Sequence, residues 1–494
     1  MKSPHRRRPR LIPLLEKDAR TFGRSSLWLL AVVVVLPNVV PWVIGAVWVL
    51  PRPMLNLDYA VVALLHPWLG ASGVGVLVAL FSLIDLGVAG AYHFHGNPAA
   101  LIQAAPDALH LPLSLTLPYA LVLGGAAVGV GWVVYRLIRR LPTRSGPNLA
   151  AAGAAFLLSL VLTPLVPGSL RGERAVALGD FLDNAVLPAA AMATEYHGLI
   201  ASHVQAASTP LFEAFDRGDS LPPRVVLIVF ESWGRFLDAT LDSLATMGLD
   251  TAGLDSLYDV DRGEAPQYGS TVKGELRELC RGRSGSVRPD VALLPVAQCL
   301  PELFEGRGYR TMAFHGFLPE FFDREDWWPG LGFDSVEFRD DIASALDTRR
   351  TCGGAFEGIC DTDVARLLGR ELSTSESAGG PKRLFLYWLT LNAHPPYNRF
   401  PGDEKPAWCA SGGAAMTDKV CSFMAWNDQA LSAVVKIAVE HADGRTAWIL
   451  VGDHPTPFDS PRDRALVESD SVPFVRLWPR GWKETGSKGR PPGG

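Results

Sequence analysis

The sequence has no surplus of positive charge and no closely spaced cysteine pair. Its 494 residues contain 46 lysines and arginines against 51 aspartates and glutamates, which gives a formal net charge of −5. Because binding to a phosphate backbone requires a basic surface, this balance excludes nucleic acid as a partner. The absence of a Cys-x-x-Cys pair argues against a structural zinc site.

The first half of the chain also lacks cysteine, since all six cysteines lie at or after position 280. An even number confined to one half is typical of disulfides in an oxidising compartment, although some could be buried free thiols. Six cysteines allow fifteen connectivities. We expect sequence-adjacent pairing: Cys280 with Cys299, Cys352 with Cys360, and Cys409 with Cys421.

Apolar residues are concentrated before about residue 167. Five stretches are apolar enough to predict membrane-spanning helices, at 27–50, 59–69, 74–94, 119–138 and 149–166. The first ten residues and the segment 135–144 are rich in arginine, so both are expected in the cytoplasm. This requires an even number of crossings between them, which is met when 58–94 forms a pair of spans. A fifth crossing then places the rest of the chain on the extracytoplasmic side.

The chain is therefore predicted to contain a helical membrane region and a globular α/β region. The expected boundaries are a transmembrane domain at 1–166, a juxtamembrane helical linker at 167–222, an extracytoplasmic catalytic domain at 223–480 and a flexible tail at 481–494. The α/β prediction follows from short apolar runs that alternate with helical stretches, the pattern of a largely parallel sheet.

Four of these apolar runs lead into residues that can bind a metal. The run 225–230 precedes Glu231, 309–314 precedes His315, 384–389 leads to His394, and 447–451 leads to Asp453 and His454. Because open α/β sheets place their sites at the carboxyl ends of the strands, we expect these side chains to converge on one site. Each residue alone could be a structural hydrogen-bonding group, so the prediction depends on all of them together.

A nucleophile is predicted where small residues lead into an amphipathic helix. In Gly-Ser-Thr-Val-Lys-Gly-Glu-Leu, Thr271 would lie near the helix N-terminus, where free N–H groups and the helix dipole favour a phosphate. A metal on its oxygen would make it an attacking group near neutral pH. Ser270 is the competing nucleophile, and a plain helix N-cap is the structural alternative.

At these positions the sequence resembles the membrane-bound branch of the alkaline phosphatase/sulfatase superfamily, namely lipoteichoic acid synthases and related phosphoglycerol and phosphoethanolamine transferases. The resemblance covers most of 224–479, and the five predicted spans have the same layout. The matching motifs, in order, are VVLIVFESWG, GSTVKGEL, HGFLPEFFDREDWWPGLGFD, GICDTDV, LTLNAHPPY and VGDH.

The resemblance implies a role for each candidate residue. One divalent ion, manganese first with zinc or magnesium as alternatives, would be bound by Glu231, Thr271, Asp453 and His454. Arg324 and His394 would contact the transferred phosphate, and His394 would also protonate the departing diacylglycerol oxygen. His315 and Trp327 would line the site.

The resemblance further implies transfer of a phospholipid headgroup to a glycan or lipid acceptor through a phospho-threonine. The protein would be embedded in the bacterial inner membrane, with its catalytic domain in the periplasm. The Cys-x-Pro-x-Arg signature of sulfatases is absent, which argues against sulfate-ester hydrolysis. Lack of a second histidine cluster after Asp453 favours phosphoglycerol, whereas the cysteines favour phosphoethanolamine, so both headgroups stay open.

Three other functions are weighed. A phosphodiesterase or phosphatase would use water as the acceptor in the same site. A non-catalytic scaffold is disfavoured because every expected metal position carries a competent residue type. A transporter is disfavoured because intramembrane charges usually mark transport pathways, and the predicted spans contain few ionisable residues. The main ones are Asp85 and His66.

Overall fold

The computed structural model describes two parts of the chain. In the first half these are residues 28–29, 31–39, 43, 56, 58–95, 107 and 113–140. In the second half it describes 209–482, except 219, 250–252, 283–288, 290, 295, 354–355, 378, 396, 398 and 459. The predicted span 149–166, most of the predicted span 27–50, most of the predicted linker and the tail from 483 lie outside the described residues.

By its internal contacts the chain divides into two units. The first comprises Met1–Ile102 and Pro112–Pro188, and the second comprises Gln103–Leu111 and Ala189–Gly494. The predicted domain boundaries stay predictions, and each unit is described by itself.

The first unit contains two long apolar helices, α1 (Asp58–His95) and α2 (Leu113–Ile138), besides a short π-helical segment at Ala31–Val35. By length and composition, two stretches of the described residues could cross a membrane, Asp58–Gly87 and Thr116–Ile138. This supports a membrane region, while the count of five spans stays a prediction.

Helix α1 folds back on itself at Gly70. The backbone of Gly70 has φ 62° and ψ −174°, a conformation open to glycine because it has no Cβ. The hydroxyl of Tyr59 lies 3.0 Å from Ser82 Oγ. In a straight helix, 23 residues would separate these two side chains by about 34 Å. The contact therefore requires a helical hairpin, with its turn where the sequence predicts a joint between 59–69 and 74–94.

The second unit is built on a mixed β-sheet. Within the described residues the sheet has seven strands in the order β2-β9-β8-β1-β7-β3-β4, and β5 and β6 form a separate small ribbon. The strands are β1 (Arg224–Phe230), β2 (Tyr258–Pro266), β3 (Arg310–His315), β4 (Ser335–Glu337), β5 (Thr351–Cys352), β6 (Gly358–Ile359), β7 (Leu384–Leu389), β8 (Thr446–Gly452) and β9 (Ser471–Pro479).

The central strands are parallel, as expected, whereas β9, which follows β8 in the sheet, is antiparallel to its neighbours. β1 pairs in parallel with β7 and β8, and β3 pairs in parallel with β7 and β4. β9 runs antiparallel to both β8 and β2. The four predicted strands are thus confirmed as β1, β3, β7 and β8, and His315 closes β3 rather than following it.

Helices cover both faces of this sheet. They are α3 (Pro210–Asp216), α4 (Ala239–Ala245), α5 (Leu254–Leu257), α6 (Thr271–Cys280), α7 (Leu300–Glu305), α8 (Arg324–Gly330), α9 (Arg339–Leu346), α10 (Asp361–Glu376), α11 (Asp418–Glu440) and α12 (Pro461–Arg464). Short 3₁₀ turns occupy Met247–Leu249, Val291–Leu293, Val296–Gln298, Phe321–Asp323, Pro401–Asp403 and Ala407–Ala415.

The continuous apolar run of β1 follows from its position between two cores. Val225, Leu227 and Val229 pack into the core that also contains the apolar face of α6. Val226 and Ile228 point to the other face, which α10 and α11 cover. Because successive side chains of a strand alternate, burial of both faces requires an unbroken apolar run.

The expected disulfide pairing is confirmed. Cys280 is bonded to Cys299, Cys352 to Cys360 and Cys409 to Cys421.

Candidate metal and phosphate site

The register of the central strands brings the predicted ligands to one level. Phe230 of β1 pairs with Gly452 of β8, so Glu231 and Asp453 follow at neighbouring strand ends. The Asp453 N–H donates to the Phe230 carbonyl, which extends this pairing by one residue. On the other side of β1, the Thr390 hydroxyl accepts the Glu231 N–H at 2.8 Å.

Three predicted ligands form a compact cluster. Ligand atoms of Glu231, Asp453 and His454 all lie within 4.8 Å of one another. His454 Nε2 is 3.7 Å from Glu231 Oε1 and 3.4 Å from Asp453 Oδ2. Thr271 Oγ1 lies 3.3 Å from Glu231 Oε2 and 3.4 Å from His454 Nε2. The structure therefore brings all four residues together.

The Asp453 carboxylate is oriented with one oxygen towards the protein and one towards the cluster. Its Oδ1 accepts the backbone N–H groups of Ser232 at 2.7 Å and His454 at 2.6 Å. Its Oδ2 is buried and accepts no hydrogen bond within the described part of the chain. A buried carboxylate oxygen without a donor is costly unless a cation binds it.

The electrostatics of the cluster also favour a cation. Burial, together with the Glu231 carboxylate, raises the pKa of Asp453 to about 7. Burial likewise raises the pKa of Glu231, and His454 offsets part of that rise. Burial would lower the pKa of His454, but the carboxylates of Asp453 and Glu231 outweigh it and raise that pKa. Two desolvated carboxylates beside one imidazole form an electronegative pocket.

The donor set and its spacing fit a divalent metal ion. Nitrogen and oxygen ligands about 2.0–2.2 Å from a tetrahedral ion lie about 3.3–3.6 Å from one another. Four of the six pairs among Glu231, Thr271, Asp453 and His454 are separated by 3.3 to 3.7 Å. These four residues could therefore hold one such ion with little rearrangement.

Thr271 is the first residue of α6, and Ser270 occupies the N-cap position. The Ser270 side chain makes no capping hydrogen bond. Its Oγ is buried without a partner among the described residues. The Thr271 hydroxyl, in contrast, points into the carboxylate and imidazole cluster, which supports it over Ser270 as the nucleophile.

Two residues of α6 contact the ligand loop, the segment 452–454 at the carboxyl end of β8. Arg277 donates to the carbonyls of Gly452 at 2.5 Å and Asp453 at 3.2 Å. Gly274 faces the same loop, and a Cβ there would lie 2.7 Å from the Asp453 carbonyl oxygen. Glycine therefore allows a close approach between α6 and Asp453.

Arg324 is buried and paired with Glu275. Its Nη2 lies 2.8 Å from Glu275 Oε2, and its Nε is 3.2 Å from the same oxygen. Burial is the largest cause of the pKa shifts of Glu231, His315 and His394, and the positive charge of Arg324 also lowers each of these pKa values. It therefore lies within electrostatic reach of the cluster.

His394 is partly buried and its ring orientation is fixed. Nδ1 lies 2.8 Å from the Pro395 carbonyl oxygen, so Nδ1 carries the proton and Nε2 the lone pair. The ring of Phe356 packs against it at a centroid distance of 3.9 Å. Burial lowers the pKa of His394 to about 4, with the charges of His454 and Arg324 adding to the effect.

His315 and Trp327 have different surroundings. His315 Nδ1 is 3.1 Å from the Leu389 carbonyl oxygen, and its ring centroid is 6.1 Å from that of Trp328. Trp327 is fully buried, and its indole donates to the Phe322 carbonyl. The neighbouring Trp328, which the sequence did not single out, is the tryptophan that contacts both His315 and Glu275.

Sequence reasoning missed several residues that support the site. Asp361 is one, since its carboxylate accepts the N–H groups of Leu391 and Asn392 in the loop that leads to His394. Glu275 is another, and its only signal in the sequence is its position four residues after Thr271, on the same helical face. Neither contact is visible from sequence spacing.

The C-terminal half also matches a protein family. The model of the family described as Sulfatase matches residues 280–491. Residues 280–491 are thus similar to sulfatases. The match confirms the resemblance and the expected enzyme class of sulfatase-like hydrolases and transferases. Glu231 and Thr271 precede the matched residues, yet both lie close to His454, which is one of the matched residues.

Several solved structures are similar to this chain at low sequence identity. The phosphoethanolamine transferase EptA from Neisseria meningitidis, an integral membrane protein, is 13% identical with a TM-score of 0.44, over 82% of this chain and 77% of that one. The phosphoglycerol transferase GacH from Streptococcus pyogenes is 14% identical with a TM-score of 0.39, over 59% and 75%.

A protein of the alkaline phosphatase superfamily from Vibrio parahaemolyticus is 19% identical with a TM-score of 0.39, over 53% of this chain. The chain spans 61% of that protein's length. Among curated proteins, none matches the chain.

Proposed function

We propose that this protein transfers a phosphoglycerol or phosphoethanolamine group from a phospholipid to a hydroxyl group of a cell-envelope glycan or lipid. The observation that carries the proposal is the position of Thr271. Its hydroxyl lies at the start of α6 and within 3.4 Å of both Glu231 and His454. A hydroxyl so placed is suited to attack a phosphorus atom whose anionic oxygens face the helix N-terminus.

In the first half-reaction, a bond forms between Thr271 Oγ1 and phosphorus while the bond from phosphorus to the diacylglycerol oxygen breaks. The Thr271 hydroxyl proton passes to His394 Nε2 and from there to the diacylglycerol oxygen, so diacylglycerol leaves as an alcohol and the headgroup phosphate stays on Thr271. His394 Nε2 is the ring nitrogen that can transfer the proton, because Nδ1 is hydrogen-bonded to the Pro395 carbonyl. Once an anionic phosphate binds beside it, protonation of this nitrogen becomes easier.

In the second half-reaction, the acceptor oxygen attacks the same phosphorus and the bond to Thr271 Oγ1 breaks. The proton of the acceptor hydroxyl passes to His394 Nε2 and from there to Thr271 Oγ1, which becomes a free hydroxyl again. Neutral His394 is the form required to accept it. Arg324 stabilises the negative charge that develops on the phosphate oxygens.

Glu231, Thr271, Asp453 and His454 would hold a divalent ion, with manganese as our first choice. When bound, such an ion would lower the pKa of the Thr271 hydroxyl and offset the charge of the phosphate.

We further propose a multi-pass protein of the bacterial inner membrane with an extracytoplasmic catalytic domain. The three disulfides of the second unit support an oxidising compartment. The apolar helices of the first unit support membrane attachment. Attachment next to the bilayer would give the site a high effective concentration of lipid donor.

The proposal is tested by intact-mass analysis of the full-length protein in detergent. The protein is incubated with manganese and either phosphatidylglycerol or phosphatidylethanolamine, without acceptor. We expect a covalent adduct whose mass identifies the headgroup. In Thr271→Ala the adduct disappears, and diacylglycerol release falls about 10³-fold or more, because the nucleophile is lost.

Ser270→Ala is the matched control, since it removes the neighbouring hydroxyl and should keep the adduct. An adduct that survives in Thr271→Ala but not in Ser270→Ala would make Ser270 the nucleophile. Rapid release of the free headgroup phosphate without any acceptor would instead indicate a hydrolase that uses water.

A further inference from the structure

Glu275 has an unusually complete set of hydrogen-bond donors for a fully buried carboxylate. Arg324 donates from Nε and Nη2, at 3.2 and 2.8 Å from Oε2. Trp328 Nε1 and the Tyr387 hydroxyl donate to Oε1, at 3.1 and 3.3 Å. Burial raises the pKa of Glu275, and Arg324 offsets part of that rise.

The pairing leaves part of Arg324 available. A guanidinium group has five N–H bonds. The Nε–H and one Nη2–H point to Glu275, and one Nη1–H points to the Phe321 carbonyl at 3.3 Å. Within the described residues, one N–H on each terminal nitrogen has no acceptor, which is enough for a two-point contact with phosphate oxygens.

Glu275 and Thr271 lie one helical turn apart on α6. Side chains four residues apart on a helix share a face, so the nucleophile and the carboxylate that holds Arg324 are fixed relative to each other. Arg324 belongs to α8, which follows in the chain after the strand β3. The ion pair therefore ties the arginine to the helix that carries the nucleophile.

The backbone before Arg324 adopts a conformation that needs such support. Phe322 and Asp323 have φ values of 57° and 53°, in the left-handed region that non-glycine residues rarely adopt. Two such residues in succession persist only where surrounding contacts fix them. The bonds of Arg324 to Glu275 and to the Phe321 carbonyl are such contacts.

We propose that Glu275 is the positioning residue that orients the Arg324 guanidinium towards the phosphate attached to Thr271. The inference rests on the proposed function, because it takes Arg324 to be a phosphate ligand. Glu275 itself would not touch the substrate. Its effect would be to hold Arg324 at a fixed distance from Thr271 throughout both half-reactions.

The test uses full-length, manganese-loaded protein in detergent and inorganic phosphate as the probe. We expect Glu275→Gln to weaken phosphate binding about 10-fold and to lower kcat/KM for headgroup transfer about 100-fold, because the arginine is misplaced. Manganese affinity should change little, since Glu275 is not among the metal-binding residues. A general loss of structure would instead weaken metal and phosphate binding alike.

Asp216→Asn is the matched control. Asp216 forms a two-point ion pair with Arg281 at the other end of α6, with Arg281 Nη1 2.7 Å from Asp216 Oδ2. Its loss should leave phosphate binding and kcat/KM unchanged. If native protein fails to bind phosphate, the proposed function is at fault. If native protein and Glu275→Gln bind it equally, the inference about Glu275 is wrong.

A second comparison covers the case in which Glu275→Gln does not fold. Arg324→Ala removes the guanidinium, and guanidine added at millimolar concentration can restore activity if a carboxylate holds it in place. Glu275 stays in place in this variant, and we expect guanidine, whose planar N–H groups match the Glu275 carboxylate, to restore activity where methylammonium at the same concentration does not. Equal rescue by the two cations, or none by either, would overturn the proposal.

Discussion

Asp453, His394 and Glu231 share one property: each uses one polar atom to fix its position and has a second polar atom besides. Asp453 binds two N–H groups with Oδ1 and directs Oδ2 into the cluster. His394 uses Nδ1 on the Pro395 carbonyl, and Glu231 Oε1 accepts the Ser232 hydroxyl at 2.8 Å. Such second contacts orient ligands and set which nitrogen of an imidazole is available.

Burial of the His394 ring predicts its charge. Burial lowers the pKa of His394 to about 4 in the folded chain, from 6.5 in an unfolded chain. Between pH 4 and pH 6.5 the chain therefore takes up a proton when it unfolds. Acidification within this pH range lowers the free energy of unfolding. We expect NMR of ¹³C-labelled histidine in the free protein to show a neutral His394 from pH 8 down to pH 5.

His394→Gln assigns the signal by its disappearance. A titration of that signal with a midpoint near 6.5 would contradict the environment described for His394.

Residue types and motif order predicted which candidate ligands come together, but not the contacts behind them. Trp327 and Trp328 are adjacent, so the sequence cannot say which one faces the site until the orientation of α8 is known. Glu275 bonds to Tyr387, which lies 112 residues further along the chain. Contacts of this kind depend on how α6 and α8 pack against the sheet, and no local pattern encodes that packing.

At the scale of elements, α6 contributes more residues to the candidate site than the other helices described above. Within its 10 residues it supplies the proposed nucleophile, a close approach to Asp453, the partner of Arg324 and the donor to the Gly452 carbonyl. It ends at Cys280, whose disulfide to Cys299 fixes its last turn to the segment before α7.

The close contact of α6 predicts an effect opposite to helix propensity. In a helix interior, Gly→Ala usually stabilises by about 1 kcal/mol. At Gly274 the added Cβ would lie 2.8 Å from Asp453 Cα and 2.9 Å from its Cβ, so the ligand loop must move. We expect Gly274→Ala to weaken manganese binding about 10- to 100-fold, measured by calorimetry, with a matching loss of transfer activity.

Gly306→Ala is the control, because its Cβ would meet the nearest atom at 3.4 Å, an ordinary contact. Unchanged metal affinity in Gly274→Ala would mean that the loop accommodates the methyl group without moving Asp453.

Elements with a strong apolar pattern were predicted, and those without one were not. β1, β7 and β8 are buried along their whole length, which gives the unbroken apolar runs that identified them. β2 is mostly exposed and carries four charged residues among its nine, so its sequence reads as a loop. It is a strand because β9 supplies its hydrogen bonds.

At the scale of the whole molecule, the charge pattern and the disulfides make one prediction about membrane topology. The N-terminal arginines and the segment 135–144 are expected in the cytoplasm, and the disulfide-bonded unit outside. A compartment-sensitive reporter enzyme fused after Gly494 should be active only in its extracytoplasmic form, and one fused after Arg144 only in its cytoplasmic form.

The same cytoplasmic result at both fusion points would exclude a crossing at 149–166 and with it the extracytoplasmic catalytic domain. A fusion after Arg140 serves as the control, because it retains the positive charges of Arg136 and Arg139 and should behave as the Arg144 fusion does.

The position of β1 in the sheet has a consequence for how the chain is made. β1 is the first strand in sequence but lies at the centre, and Arg224 bonds to Thr446, 222 residues later. At about 5–20 residues per second, synthesis of that interval takes on the order of 10–45 s. During this time an apolar strand has two unpaired edges. Biogenesis of this protein should therefore depend on a holding chaperone that shields β1 until β7 and β8 emerge.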